Sequence, residues 1–339
     1  MGTGEALLVG LLALVLAVAL LSNALVLLCC ACRAELRARA SGVLLVNLSL
    51  GHLLLAALDM PFTLLGVLQG RPPSAPGTCQ AIGFLDTFLA SNAALSVAAL
   101  SADQWLAVGF PLRCAGLLRP RNAGLLLACA WGQSLAFAVA ALGCSWLGYS
   151  SAFASCSLRL PPEPEHLRFA AFTAAFHAVG FALPLAVLCL TSLGVLRVAR
   201  SHCRRMDTVT KKALVLLTDL HPSVRQRCLI QRKRRHHRAT RKIGVSIATF
   251  LICFAPYVVT RLVELVPSVT VNPHWGILSK CLTYSKAAAD PFMCFLLCRP
   301  FRQVLAGMAH QLLKRSPPPA SAHHSSLDAE NDSCLQQTL

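Results

Sequence analysis

Seven apolar runs, each close to or beyond the length that crosses a bilayer, constrain this chain more than any other feature. A helix rises about 1.5 Å per residue through a hydrocarbon core about 30 Å thick, so a span needs about 20 residues. Ala6–Ala31, Asn122–Ala154 and Phe169–Leu196 carry no formal charge, and Ile243–Leu265 carries none as far as Thr260. Three further runs hold charges: Gly42–Leu68 with Asp59, Cys79–Leu106 with Asp86 and Asp103, and Trp275–Cys298 with Lys280, Lys286 and Asp290. Lipid gives a backbone nothing to hydrogen-bond, so each run must be a helix that satisfies its own peptide groups. The expectation is an all-α, seven-transmembrane-helix bundle over 6–298, preceded by a short N-terminus of residues 1–5.

Composition agrees. The chain is 55% hydrophobic and only 13% charged, which is too apolar for ordinary soluble domains. Its net charge of +17 would suit nucleic acid only if the basic residues formed one face. Instead, 25 of the 31 Lys and Arg lie in the first, third and fifth connections and after residue 298. By the positive-inside rule these segments are cytoplasmic and the N-terminus is extracellular, so the partner implied is a lipid bilayer and no nucleic acid. The first run lacks a basic segment before it and is followed by Arg33, Arg37 and Arg39, as a retained span would be. No Asn-x-Ser/Thr sequon falls in an outer loop.

Most of the 16 cysteines sit singly inside apolar runs and no metal-ligand spacing recurs, so no metal and no cofactor is expected. Cys79 and Cys156 fall on the outer, oxidising side and are the pair expected to form a disulfide. The basic run Arg232–His237 reads as a solvated cytoplasmic face beside anionic lipid. Phe301, Val304, Leu305, Met308 and Leu312 share a helical face, which predicts a short amphipathic helix over 299–314. Residues 315–339 read as a disordered cytoplasmic tail.

Local motifs narrow the class. Ser22-Asn23, Asn47-Leu48-Ser49, Cys79 with Asp103 further along the same run, Trp131, Pro184, Phe250-x-x-Cys253-x-x-Pro256 and Asp290-Pro291 fall in order through the seven runs. Together they resemble the rhodopsin-like G-protein-coupled receptors. Asp219-Leu220-His221-Pro222-Ser223 and Cys253-Phe254-Ala255-Pro256-Tyr257 are similar to a small orphan branch of that family. The resemblance implies a receptor for a heterotrimeric G protein in the plasma membrane, and no enzyme. Lys286 is not the expected retinal lysine, because that position, counted from Pro291, falls on Tyr284. The halves of the chain show no transporter-like repeat.

The resemblance also distributes roles. Asp86 falls where amine receptors bind a ligand ammonium, and Tyr284 where they place a tyrosine bonding that carboxylate. His177, Tyr257, Arg261 and Lys280 complete the expected ligand pocket, whose ligand is unknown. An intramembrane acid is costly unless paired, so Asp86 either receives a cationic ligand or pairs internally with Lys280. Proline deletes a backbone hydrogen bond, so Pro184 and Pro256 predict kinks that let span six swing. Phe250 and Phe254 belong to the same switch, with Phe254 standing where the family usually has tryptophan. His52 replaces the aspartate that holds sodium in the family, and Lys286 lies one turn from Asp290 beside Pro291, so Lys286 is expected to substitute for that ion.

The inner face departs most. The family's Asp-Arg-Tyr reads Asp103-Gln104-Trp105, and its helix-six glutamate falls on His236. Neither half of the family's ionic latch is therefore present. Ser192 and Cys294 replace the tyrosines that bridge spans five and seven in the active state. Loss of a resting-state contact favours high basal activity, with stimulation of cyclic AMP as the direction the resemblance suggests. Loss of the arginine that meets the G protein favours the opposite: a non-signalling receptor-like protein that acts within a receptor homo- or hetero-oligomer.

Overall fold

A computed structural model describes residues 2–71, 75–109, 120–162, 164–216, 244–266, 269–297 and 299–315. The basic run Arg232–His237, including His236, the pentapeptide 219–223 and the tail 316–339 lie outside the described residues. Among the described residues six helices are long and apolar enough to span: Thr3–Cys32, Ala40–Gln69, Gly77–Leu106, Asn122–Gly143, His166–Val198 and Gly244–Val263, here spans one to six. Span seven, Pro273–Leu297, is 25 residues long but carries Lys280, Lys286 and Asp290. It turns these charges inward, where all three are buried. The surface helix Arg299–Arg315 follows and seats Phe301 among Val26, Cys29, Cys30 and Leu45 of spans one and two.

Apolar side chains give lipid-facing helices little drive to associate, so polar pairs and close packing carry more of the task. Asn23 Nδ2 donates to the carbonyls of Ala19 and Ala287, each at 2.8 Å, joining span one to span seven. Asn47 Nδ2 donates to Asn92 Oδ1 at 3.0 Å and Ser96 Oγ at 2.9 Å, while Trp131 Nε1 donates to Asn47 Oδ1 at 2.8 Å. That set pins spans two, three and four together. Around it, Leu12, Val15 and Ala19 pack against Leu55, Met60, Leu89, Cys281, Tyr284 and Ala287.

Among the described residues two helices are locally underwound into π turns, Leu55–Asp59 and Ala178–Ala182, each just before a proline, Pro61 and Pro184. Proline leaves the carbonyl one turn back without its donor, and a wider turn absorbs the mismatch. One inserted residue rotates everything beyond it by about 100° on the helix surface.

The expected span over Asn122–Ala154 is corrected by the structure. The helix stops at Gly143, Ser145 adopts φ 58°, and Leu147–Ser150 (β1) pairs antiparallel with Ser155–Leu158 (β2). The bundle is therefore helical with one added hairpin. Residues 144–154 read as a continuation because the hairpin is itself buried: Trp146, Leu147, Phe153 and Leu158 are all covered by the bundle. Hydropathy records burial, not the element that achieves it. The helix of span five continues to Leu216, past the expected end at Leu196. A disulfide between Cys79 and Cys156 ties β2 to the start of span three across 77 residues.

A cross-link closing a loop of that length stabilises mainly by restricting the unfolded chain. Cys156→Ser is expected to destabilise the detergent-solubilised protein by about 2–4 kcal/mol. Thermal melting monitored by size-exclusion recovery checks this, and an unchanged melting temperature would contradict it.

Candidate functional site

The hairpin end of the bundle encloses a polar cluster. Asp86 projects from span three, whose first turns are held by the disulfide, and Lys280 and Tyr284 lie one turn apart on span seven. Lys280 Nζ sits 2.7 Å from both carboxylate oxygens of Asp86, with Lys280 only 1% exposed. Two opposite charges buried this deeply hold only if each satisfies the other. The ring faces of Tyr257 and Tyr284, 5.2 and 5.1 Å from the ammonium, complete its surroundings.

Tyr284 does not bond Asp86, contrary to the expectation from amine receptors. Its hydroxyl donates to Asp59 Oδ2 at 2.7 Å and lies 2.8 Å from Thr63 Oγ1. Asp59 is fully buried and stands within electrostatic reach of Asp86 and Lys280, so two carboxyls share this pocket with one lysine. Sequence reasoning counted Asp59 only as a charge in span two. The π turn that ends at Asp59 rotates it toward span seven, and the only sequence signal for that turn is Pro61 two residues on.

Above the cluster, Arg261 of span six is buried and salt-bridged to Glu264 at 2.7 Å. It also donates to the Leu158 carbonyl and to Ser157 Oγ, so it faces the hairpin. His177 is buried between Phe176 and Tyr257, with ring centroids 5.3 and 6.5 Å away, and its Nε2 has no hydrogen-bond partner among the described residues. A free amine entering here would compete with a lysine tethered to the same molecule.

Deeper in the bundle, Lys286 is paired with Asp290 one turn along span seven, and His52 Nε2 stands 3.8 Å from Asp290 Oδ2. Pro291 lies inside the same helix. Phe250 and Phe254 pack at 4.8 Å between rings, with Leu188 of span five and Val97 of span three around them. The carbonyl of Pro256 accepts from Thr260 Oγ1 at 2.7 Å. Cys294 joins the cluster under Phe301.

At the end opposite the hairpin, Asp103 is partly buried and Gln104 is exposed. Trp105 lies directly against Gly194 of span five, where an added Cβ would collide with the indole. One turn away Ser101 Oγ and Thr191 Oγ1 are 2.6 Å apart, and Ser192 is buried beside Thr191. This packing and the hydroxyl pair are among the contacts that join spans three and five. Gly194 was legible only as a small residue, because nothing local announces the indole across from it.

Known proteins resemble the chain throughout. Residues 22–293 match the 7 transmembrane receptor (rhodopsin family). The chain is 79% identical to G-protein coupled receptor 78 of Homo sapiens over the full length of both. It is 50% identical to G-protein coupled receptor 26 of Homo sapiens over 98% of each. Somatostatin receptor type 5 of Bos taurus is 25% identical over 86% of this chain and 72% of its own.

Lys280→Ala is expected to destabilise the protein by about 3–5 kcal/mol, because it strands Asp86, and Lys280→Met with Asp86→Leu to recover much of that loss. Melting temperatures of the three proteins decide it: a double variant no better than the single one contradicts the pairing. A second expectation concerns Asp290, whose charge Lys286 already meets. Exchanging choline for sodium should leave thermal stability unchanged, and a sodium-specific rise would show that the ion reaches the carboxylate.

Proposed function

Because this chain belongs to the rhodopsin family of seven-transmembrane receptors, we propose that it activates a heterotrimeric G protein at the plasma membrane with high output in the absence of any added ligand. It is a receptor and not an enzyme. In this reading the N-terminus and the hairpin are extracellular, supported by the basic connections at the opposite end and by a disulfide that needs an oxidising compartment. Movement of span six about Pro256 exposes the cytoplasmic face, and Phe250 and Phe254 repack as it moves.

The observation that carries the proposal is the absence of charge at Gln104. A two-state receptor rests in whichever conformation has more favourable contacts, and removing about 1.4 kcal/mol from the resting state shifts the ratio tenfold. Contacts near Gln104 include the Trp105 indole against Gly194 and the Ser101–Thr191 pair. Asp86 and Lys280 satisfy each other, which reduces the pocket's demand for a cationic ligand. Stimulation of cyclic AMP is the direction assigned to the G protein.

Gln104 also supports a second reading. An uncharged residue there removes a cation that would meet the G protein, which suits a receptor-like partner acting through homo- or hetero-oligomers. Cyclic AMP and inositol phosphate measured without ligand, normalised to surface expression, separate the two. The proposal expects output well above mock-transfected cells, reduced by roughly tenfold in Gln104→Arg as Asp103 gains a partner. Output equal to mock cells at good surface expression would overturn it, and an altered response of a co-expressed receptor would then favour the oligomer.

A further inference from the structure

The tip of the hairpin, Ser151–Ala154, is built into the pocket instead of lying over it. Phe153 is completely buried although it sits in a turn. Its ring meets Tyr257 edge-on at 5.3 Å, and the Arg261 guanidinium lies over its face at 4.6 Å. Arg261 also donates to the Leu158 carbonyl and Ser157 Oγ, so one buried cation holds both the ring and the strand beneath it.

The backbone beside Phe153 is equally committed. The Ala152 carbonyl rests on Gly276 at the start of span seven, and the Ala154 carbonyl on Gly66 near the end of span two. At either glycine a Cβ would collide with that carbonyl. Ala154 holds φ 47°, a conformation that costs a non-glycine residue free energy and persists only where its surroundings impose it. Ala154 is in turn packed among Leu8 and Ile277, which brings span one into the same contact. The disulfide anchors the other side of β2 to span three.

From these contacts we infer that the hairpin tip is the pocket's resident ligand: Phe153 and the carbonyls around it fill the space an external molecule would use, and they tie span six to spans two and seven. An added ligand has to displace the tip. It would need what the tip supplies, an aromatic ring edge-on to Tyr257 whose face lies under the Arg261 guanidinium. On the reading that the receptor signals without added ligand, the tip is the group that sustains this output, because a bound group stabilises the conformation it fits.

Occupancy and signalling are tested separately. In full-length protein with exposed Cys144 replaced by serine, His177→Cys places a thiol beside Tyr257. A charged, membrane-impermeant methanethiosulfonate added from outside should label it slowly with the natural tip, and faster by roughly tenfold or more once Phe153→Ala lets the pocket open. Phe153→Leu, which keeps the space filled, should remain slow. Gly66→Ala displaces the tip from its other side without touching Phe153 and should also speed labelling. Equal rates in all four proteins, at matched surface expression, would overturn the occupancy. In the same cells Phe153→Ala should lower ligand-free cyclic AMP several-fold per receptor, and Phe153→Leu should lower it less. Faster labelling with unchanged output would overturn the tip's role in signalling. A natural chain that gives no ligand-free output would defeat the signalling proposal, while the labelling rates would still decide occupancy.

Discussion

Every charge that span seven carries into the bilayer has to be met by another side chain, and the arrangement of the bundle follows from that requirement. Lys280 and Tyr284 share one face of span seven and Lys286 and Asp290 another; all four are buried, and none of the charged ones tolerates a lipid-facing position. Asp86 therefore has to stand opposite Lys280, which fixes the rotation of span three against span seven. Asp59 has to reach Tyr284, and the π turn in span two delivers it. Asp86 and Asp290 are each met by a lysine of the chain itself. A tethered cation differs from a dissolved one in being always present, so these sites stabilise the fold instead of responding to concentration.

The bundle was legible in the sequence because lipid forces a single solution on any apolar run of sufficient length. The pairing of Lys286 with Asp290 was legible as well, since residues four apart share a helical face. The choice between an internal pair and a ligand at Asp86 was not, because periodicity within span seven does not reveal its depth relative to span three. Tyr284 was assigned to Asp86 by resemblance and found on Asp59, since a π turn changes which residues face inward while leaving the hydropathy of the run untouched. The hairpin was read as helix for a related reason. Trp146, Leu147 and Phe153 are apolar because the bundle covers them, and burial carries no mark of secondary structure.

The two ends of the bundle are held in unlike ways. At the hairpin end a disulfide, two buried cations and two carbonyl-on-glycine contacts connect strands and spans. At the opposite end the contacts between spans three and five include an indole packed on a glycine and a pair of hydroxyls. Directional, charge-assisted contacts resist displacement more than dispersion between apolar surfaces that can slide and repack.

That asymmetry bears on what a ligand could add. In a receptor whose pocket is empty, binding supplies free energy that the resting state lacks, and output waits for it. Here the ion pairs and the hairpin tip already supply comparable contacts covalently, at an effective concentration no dissolved molecule matches. An external molecule would have to replace Phe153 under Arg261 before gaining anything, so its net affinity is the difference between two similar sets of contacts.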